Sequence, residues 1–137
     1  MEDISLHILD IAENSIRANA KQINIMLIED KKSDLLTLTI EDDGEGMDQQ
    51  TKHHALNPFF TTKKDKKVGL GLAFLSQSAE EAGGEMKIES EPGKGTKVIA
   101  TFSLGHIDRK PLGNLDKTIK CLTITHPELN ITFNHIT

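Results

Sequence analysis

The stretch LTLTIEDDGEGMD, residues 36–48, joins a strand pattern to an acidic turn that contains glycine. Apolar residues occupy alternate positions from Leu36 to Ile40, which predicts a strand with one apolar face. Asp42 continues that face. A carboxylate that points with core side chains costs free energy unless something pairs with it, so this position indicates a ligand site.

The turn itself, residues 41–48, has two interpretations. Gly44 and Gly46 suit a turn in which a ligand approaches the backbone closely, whereas a plain acidic turn would need no ligand. A calcium loop of the EF-hand type is excluded because the required order of ligands, with a Glu at loop position 12, is absent. The residues alone leave the first two interpretations open.

The residues before this stretch predict a hairpin and a helix. Residues 22–30 alternate as a strand, and the polar segment 31–34 reads as the turn into the strand 35–42. Residues 4–18 have apolar residues at helical spacing. The opposite, polar face of this helix carries His7, Asp10, Glu13, Asn14 and Arg17.

The polar face of the first helix also has two interpretations. A solvated surface is the plain one. In the other, Asn14 lies one turn after Asp10 and one turn before Arg17, a spacing that places a neutral oxygen ligand for Mg²⁺ between an acid and a cation able to bind phosphate.

The residues after the turn predict a second α/β segment and a tail. A short helix is expected over 49–56, a longer one over 70–82, and a hairpin with strands at 85–91 and 96–104. In the tail, the leucines from Leu112 to Leu122 have helical spacing, and residues 129–136 resemble a strand. Because that strand stops at the end of the chain, we expect the sequence to be truncated there.

Two segments have the composition of phosphate-binding elements. Gly69, Leu70, Gly71 and Leu72 open the helix over 70–82, and free N–H groups at a helix N-terminus favour phosphate. A dinucleotide fingerprint is excluded because Phe74 occupies its third glycine position. The preceding segment, residues 57–67, combines four lysines with adjacent phenylalanines. It reads either as a disordered basic loop or as a segment that docks in one state.

Composition narrows the class of protein. The 137 residues include 16 Lys and Arg and 21 Asp and Glu, a net charge of −5, which argues against nucleic acid or an anionic membrane as a partner. Cys121 has no second cysteine with which to form a disulfide, and the acidic N-terminus does not resemble a secretory signal. No apolar run is long enough for membrane insertion. These features predict a cytoplasmic location.

The motifs occur in a specific order: ILDIAENSIRANA, EDDGEGMD, NPFFTTK, VGLGLAFLSQSAEEAGG and SEPGKGT. In that order they resemble the GHKL ATP-binding superfamily, most closely the catalytic ATPase domain of bacterial sensor histidine kinases. The resemblance implies an α/β fold, a two-layer sandwich in which helices cover one face of a mixed sheet. We expect this ATPase domain to span residues 1–104 and residues 105–137 to form an accessory extension.

The resemblance also implies roles for individual residues. Asn14 matches the Asn that ligates Mg²⁺ bound to the ATP phosphates, and Arg17 a basic residue near them. Asp10 stands where some members of the superfamily carry a catalytic Glu. The resemblance therefore makes Asp10, Asn14 and Arg17 the catalytic candidates. Asp42 matches the Asp that accepts a hydrogen bond from the adenine amino group. The remaining candidates for contact with ATP are Gly44, Gly46, Met47, Phe59, Lys63, Gly69, Leu70, Gly71, Leu72 and Thr96.

Three functions follow as expectations. The first is a Mg-ATP-dependent kinase without its own phosphoacceptor domain, which transfers the γ-phosphoryl group to a partner protein in signal transduction. His7 lies inside the first helix, and we interpret it as a surface residue and not an acceptor. The second is an ATPase conformational switch, in which Asp10 orients water. The third is a non-enzymatic, nucleotide-gated binding module similar in logic to anti-sigma factors.

Overall fold

The computed structural model describes residues 3–56, 71–106, 109 and 111–137. Within them the predicted elements are all present, most of them with ends within one residue of the expected positions. The tail helix differs, since it begins at Leu115 and leaves Leu112 in the segment before it. The helices are α1 (Ile4–Arg17), α2 (Gln49–Ala55), α3 (Gly71–Glu81) and α4 (Leu115–Thr125), and the strands are β1 (Gln22–Asp30), β2 (Leu35–Asp42), β3 (Met86–Ser90), β4 (Thr96–Ser103) and β5 (Asn130–Ile136).

The strands form a single mixed sheet in the order β3-β4-β2-β1-β5. Neighbouring strands are antiparallel except β1 and β5, which run parallel. The register of the central pair sets Asp42 of β2 opposite Thr96 of β4. Both residues therefore lie at the same end of the sheet, beside the turn that follows β2.

The hydrophobic core lies between one face of this sheet and the helices. The inward side chains of β1, β2 and β4 alternate with exposed or half-buried ones, as period-2 patterning requires. Helices α1 and α3 pack against each other. Helix α1 contacts β2, α3 contacts β3 and β4, and α4 contacts β5. The structure thus confirms the predicted two-layer α/β sandwich. The fully buried large side chains of the core include Ile4, Ile8, Ile23, Ile25, Leu27, Leu36, Leu38, Ile40, Leu75 and Phe102.

The interpretation of His7 as a surface residue is wrong. Its side chain is 1% exposed. The segment before α4 covers the start of α1, where the backbone N–H of Ile4 donates to the carbonyl of Pro111 at 2.8 Å and that of Ser5 donates to Leu112 at 3.0 Å. Helix α4 also packs against α1. Periodicity within α1 could not reveal this cover because it comes from residues about a hundred positions away.

The tail shares the sheet and the helical layer of the preceding residues. Strand β5 pairs with β1 over its full length, and α4 packs on α1 and β5. The division into a domain at 1–104 and an extension at 105–137 stays a prediction.

Candidate functional site

A pocket of about 260 Å³ opens at the end of the sheet where β2 and β4 meet α1. Polar groups stand on one part of its lining and apolar side chains form the rest. Its lining residues are Ile11, Asn14, Ser15, Ala18, Asp42, Glu45, Gly46, Met47, Asp48, Thr51, Leu72, Pro92, Thr96 and Val98.

Asp42 is held in this pocket by two hydrogen bonds. The hydroxyl of Ser15, on α1, donates to Asp42 Oδ2 at 2.6 Å, and the backbone N–H of Gly44 donates to Oδ1 at 2.8 Å. Ser15 is 2% exposed, so its hydroxyl is almost fully shielded from bulk water. An ionised carboxylate can accept about four hydrogen bonds, which leaves capacity for a ligand donor. The carboxylate is therefore both oriented by the protein and available to the pocket.

Thr96 stands opposite Asp42, and its hydroxyl belongs to a small network. Ser90 Oγ donates to the carbonyl of Gly95 at 2.8 Å and lies 2.9 Å from Thr96 Oγ1. Because the single proton of Ser90 is used on Gly95, the Thr96 hydroxyl donates to Ser90. The N–H of Met47 also donates to Ser90 Oγ at 2.8 Å. The network ties the β3–β4 hairpin to the turn after β2 and leaves Thr96 oxygen lone pairs toward the pocket as acceptors.

The glycines of the turn allow close approach by the protein's own backbone. Gly46 has φ +74°, and a Cβ there would lie 2.0 Å from the carbonyl oxygen of Glu91. A Cβ on Gly44 would lie 2.8 Å from the carbonyl oxygen of Ala18, at the end of α1. Both positions therefore need glycine to bring the turn against its neighbours, which shapes the pocket wall.

Asn14 lines the pocket, and the other two catalytic candidates lie on either side of it along α1. Arg17 Nη1 is 3.4 Å from Asn14 Oδ1, a long hydrogen bond. On the other side, α3 begins against α1 at Asp10, since a Cβ on Gly71 would lie 3.0 Å from the Cβ of Asp10. The three side chains thus form a row from the N-terminus of α3 to the exposed end of α1.

Other predicted contact residues fall into three groups. Met47 and Leu72 line the pocket and are 8% and 3% exposed. Gly71 begins α3 without lining the pocket. The remaining candidates, Phe59, Lys63, Gly69 and Leu70, lie outside the described residues, as does the lysine-rich segment 57–67.

Two of the acidic residues in the turn have structural roles, in line with the plain interpretation of their positions. Asp43 Oδ1 accepts from the N–H groups of Lys21 and Gln22 at 2.8 and 3.0 Å, and these bonds, the one from Gln22 first, hold the pKa of Asp43 below its usual value. Asp48 caps α2 by accepting from the N–H of Thr51 at 2.8 Å, which lowers its pKa. Asp43 and Asp48 therefore stabilise the local fold, whereas Asp42 presents its carboxylate to the pocket, which Glu45 and Asp48 also line.

Ser15 is the pocket residue that the sequence reasoning missed. It follows Asn14 directly and lies one helical turn after Ile11, so helical spacing assigns it to the boundary between the polar and apolar faces. A serine at such a boundary carries no signal by itself. Its partner, Asp42, is 27 residues away in sequence.

Comparison with known proteins decides the family. Residues 2–106 match the family described as "Histidine kinase-, DNA gyrase B-, and HSP90-like ATPase". The chain belongs to this family. This confirms the GHKL resemblance, and the domain is of the ATP-binding type found in sensor histidine kinases. None of the helices within the described residues has the length and apolar character needed to cross a membrane.

Relatives of this GHKL domain include bacterial sensor proteins. A putative sensor protein of Shewanella frigidimarina is 35% identical over 103 residues, which are 74% of this chain and 16% of that protein. Sporulation kinase C of Bacillus subtilis is 35% identical over 88 residues, which are 64% of this chain and 20% of that protein. The matched region is thus a fifth or less of the length of these relatives.

A solved structure shares the fold of the GHKL domain. It is titled "Aquifex aeolicus MutL ATPase domain complexed with ADP" and matches with a TM-score of 0.59 at 21% identity. The match covers 98% of this chain and 60% of that one. At this identity the likeness establishes the architecture.

Proposed function

We propose that this GHKL domain binds Mg-ATP in the pocket beside Asp42 and transfers the γ-phosphoryl group to a partner protein. The observation that carries the proposal is the Asp42 carboxylate, which Ser15 and Gly44 hold at the base of a pocket with apolar walls. Family membership supports ATP as the ligand. The relative named as a sporulation kinase supports phosphoryl transfer, and the one named as a putative sensor protein supports a role in signalling.

Adenine suits this pocket on chemical grounds. Its exocyclic amino group is a donor, and the carboxylate of Asp42 is an acceptor with lone pairs to spare. Guanine has a carbonyl oxygen at the corresponding position, which the carboxylate would repel. The side chains of Ile11, Leu72 and Val98 offer apolar surface for a flat base, and the Thr96 hydroxyl offers an acceptor beside Asp42.

The phosphates would lie toward Asn14 and the start of α3. The amide oxygen of Asn14 fits Mg²⁺, which takes oxygen ligands and commonly relies on substrate phosphates and water for the rest of its coordination. When bound, the ion would neutralise charge on the phosphates. Arg17 lies within reach of the same oxygen and would add a positive charge there. We assign Phe59, Lys63, Gly69 and Leu70 to phosphate or lid contacts as predictions.

A second function, ATP hydrolysis that switches a partner interaction, is favoured by one observation. Asp10 lies against Gly71, at the N-terminus of the helix that would receive the phosphates. From there its carboxylate would orient a water molecule for attack on the γ-phosphorus. In the kinase, an oxygen or nitrogen of the partner takes the place of that water, and ADP is the leaving group in both reactions.

The binding proposal is tested by isothermal titration with ATP and GTP. We expect ATP to bind at least about tenfold more tightly than GTP and Asp42→Asn to weaken ATP binding by about tenfold or more, because the amide offers a donor toward the adenine amino group. Asp43→Asn is the matched control, since Asp43 is the adjacent carboxylate and points away to Lys21 and Gln22. Equal affinity of Asp42→Asn and the unaltered protein for ATP would contradict the proposal.

The transfer step is tested with γ-labelled ATP and candidate partner proteins. Label on a partner supports the kinase, whereas release of free phosphate that Asp10→Asn abolishes supports the ATPase. Asn14→Ala should remove either activity and also the dependence of ATP affinity on Mg²⁺. If the partner acquires no label and no free phosphate is released, but ATP still promotes capture of the partner, the domain is a nucleotide-gated binding module instead.

A further inference from the structure

The two edges of the sheet differ in how they are protected against pairing with another strand. At one edge, β3 is five residues long and carries Lys87 and Glu89. At the other, β5 is seven residues long, with the sequence NITFNHI, and contains no Lys, Arg, Asp, Glu or Pro. Short length and charge are common devices that prevent edge pairing. Edge β3 has both devices, and β5 has neither.

The free backbone groups of β5 follow from its pairing with β1. The N–H of Asn130 donates to the carbonyl of Lys21 at 2.9 Å, so even-numbered residues of β5 point their backbone groups toward β1. The groups of Ile131, Phe133 and His135 therefore point away from the sheet. Among the described residues, no strand pairs with this side of β5. Each of the three residues offers one donor and one acceptor there.

The side chains of these three residues face the helical layer, where the edge is incompletely covered. An open cavity of about 510 Å³ lies between β5 and the start of α4. Leu112, Leu115, Phe133 and His135 are among its lining residues. An added strand would place alternate side chains into this cavity while its backbone pairs with β5, which is the way that β-augmentation combines affinity with specificity.

We propose that β5 is a dimerisation edge, and that its occupant is β5 of a second copy of this chain, paired antiparallel about a two-fold axis at Phe133. In that register Phe133 lies opposite its own copy and Ile131 lies opposite His135, so all outward backbone groups of both strands meet as hydrogen-bonded pairs. Ile131 of each copy then reaches the cavity of the other. Although the chain has a net charge of −5, this strand carries no Lys, Arg, Asp or Glu side chain that would repel its copy, and the ring of its His135 is paired with Glu29 at 2.8 Å.

The proposed register also determines which side chains lie opposite each other on the outer face of the sheet. Thr132 of one copy lies opposite Asn134 of the other, and both side chains are exposed in the single chain. Charges at these two positions would therefore lie directly opposite each other across the interface, whereas within one copy they are neighbours along the same strand. Thr132 donates a hydrogen bond to Asn24 Oδ1 at 2.6 Å, and each substitution of Thr132 removes that hydroxyl donor.

Sedimentation equilibrium of charge variants tests the proposal. We expect the unaltered protein to dimerise, and Thr132→Lys with Asn134→Lys to weaken the dimer roughly tenfold because like charges oppose each other in two pairs. Thr132→Glu with Asn134→Glu should do the same. An equimolar mixture of the two doubly substituted proteins should recover the association, and so should Thr132→Glu combined with Asn134→Lys.

Several outcomes would overturn the dimer. One is an unaltered protein that stays monomeric at every concentration, and another is a double lysine variant that associates as well as the unaltered protein. A third is a mixture that does not recover association. Circular dichroism and ATP titration of each variant serve as controls for folding, since β5 contributes no residue to the lining of the pocket beside Asp42. The lysine variant is also less negative overall, so general repulsion would not explain its dissociation.

Discussion

Removal of the Ser15 hydroxyl tests whether ATP binding depends on the orientation of the Asp42 carboxylate, because the carboxylate itself stays in place. In Ser15→Ala the carboxylate loses its 2.6 Å bond at Oδ2 and keeps the bond from Gly44 at Oδ1. A hydrogen bond to a charged group contributes about 1.5–3 kcal/mol net. Because Asp42 is half-buried at a pocket, water replaces part of the lost bond. We therefore expect the free energy of unfolding to fall by about 1.5 kcal/mol, the lower end of that range.

Nucleotide binding should weaken for a different reason. Without Ser15 the Asp42 side chain gains rotational freedom, and binding must then order it again. Ordering one side chain costs about 0.5–1.5 kcal/mol, so ATP affinity should fall about fivefold. Titration calorimetry measures the affinity, and urea unfolding without nucleotide measures the stability.

Ser5→Ala is a matched control for this experiment. Ser5 lies on the same helix, is 5% exposed, and donates to Asp3 Oδ1 at the same distance of 2.6 Å, away from the pocket. It should lower stability and leave ATP affinity unchanged. If Ser15→Ala binds ATP as tightly as the unaltered protein, or if Ser5→Ala loses as much affinity, the orienting role of Ser15 is refuted.

Two further predictions concern the turn after β2. Gly46→Ala should destabilise the protein by roughly 2 kcal/mol or more beyond Gly93→Ala. Both glycines have positive φ, but a Cβ at Gly46 would lie 2.0 Å from a backbone oxygen, whereas no atom lies within 4 Å of a Cβ at Gly93. Equal losses of stability in urea unfolding would contradict this prediction. The pKa of Asp43 is lowered in the folded state, so its contribution to stability is full above its unfolded value and is lost as pH falls through the lower folded value. The amide of Asp43→Asn keeps an oxygen that can accept from both N–H groups, but it does not titrate. The stability of this variant relative to the unaltered protein should therefore improve as the pH is lowered from about 5 to 2. A stability difference that stays constant over that range would show that Asp43 does not cause the loss of stability in acid.

Much of the fold was predictable because its signals are local. Alternation in β1, β2 and β4 and the helical spacing of α1 and α3 each depend on a few neighbouring residues, and the structure confirms them. The inward direction of Asp42 followed from the same alternation. Where the prediction for His7 was wrong, the cause was a distant segment, residues 111–112, which covers the start of α1.

The sequence by itself determined the order of the elements, the family, and the position of one carboxylate on the core face of a strand. Only the tertiary structure decided that Ser15 would hold this carboxylate, that Asp43 would tie β1 to β2, and that Gly46 would pass a carbonyl group on another hairpin. It also decided that β5 would be the uncharged edge of the sheet. The physical reason is the same in each case: hydrogen bonds, close contacts and strand order join residues far apart in the chain, whereas periodicity reports only which face of its own helix or strand a residue occupies.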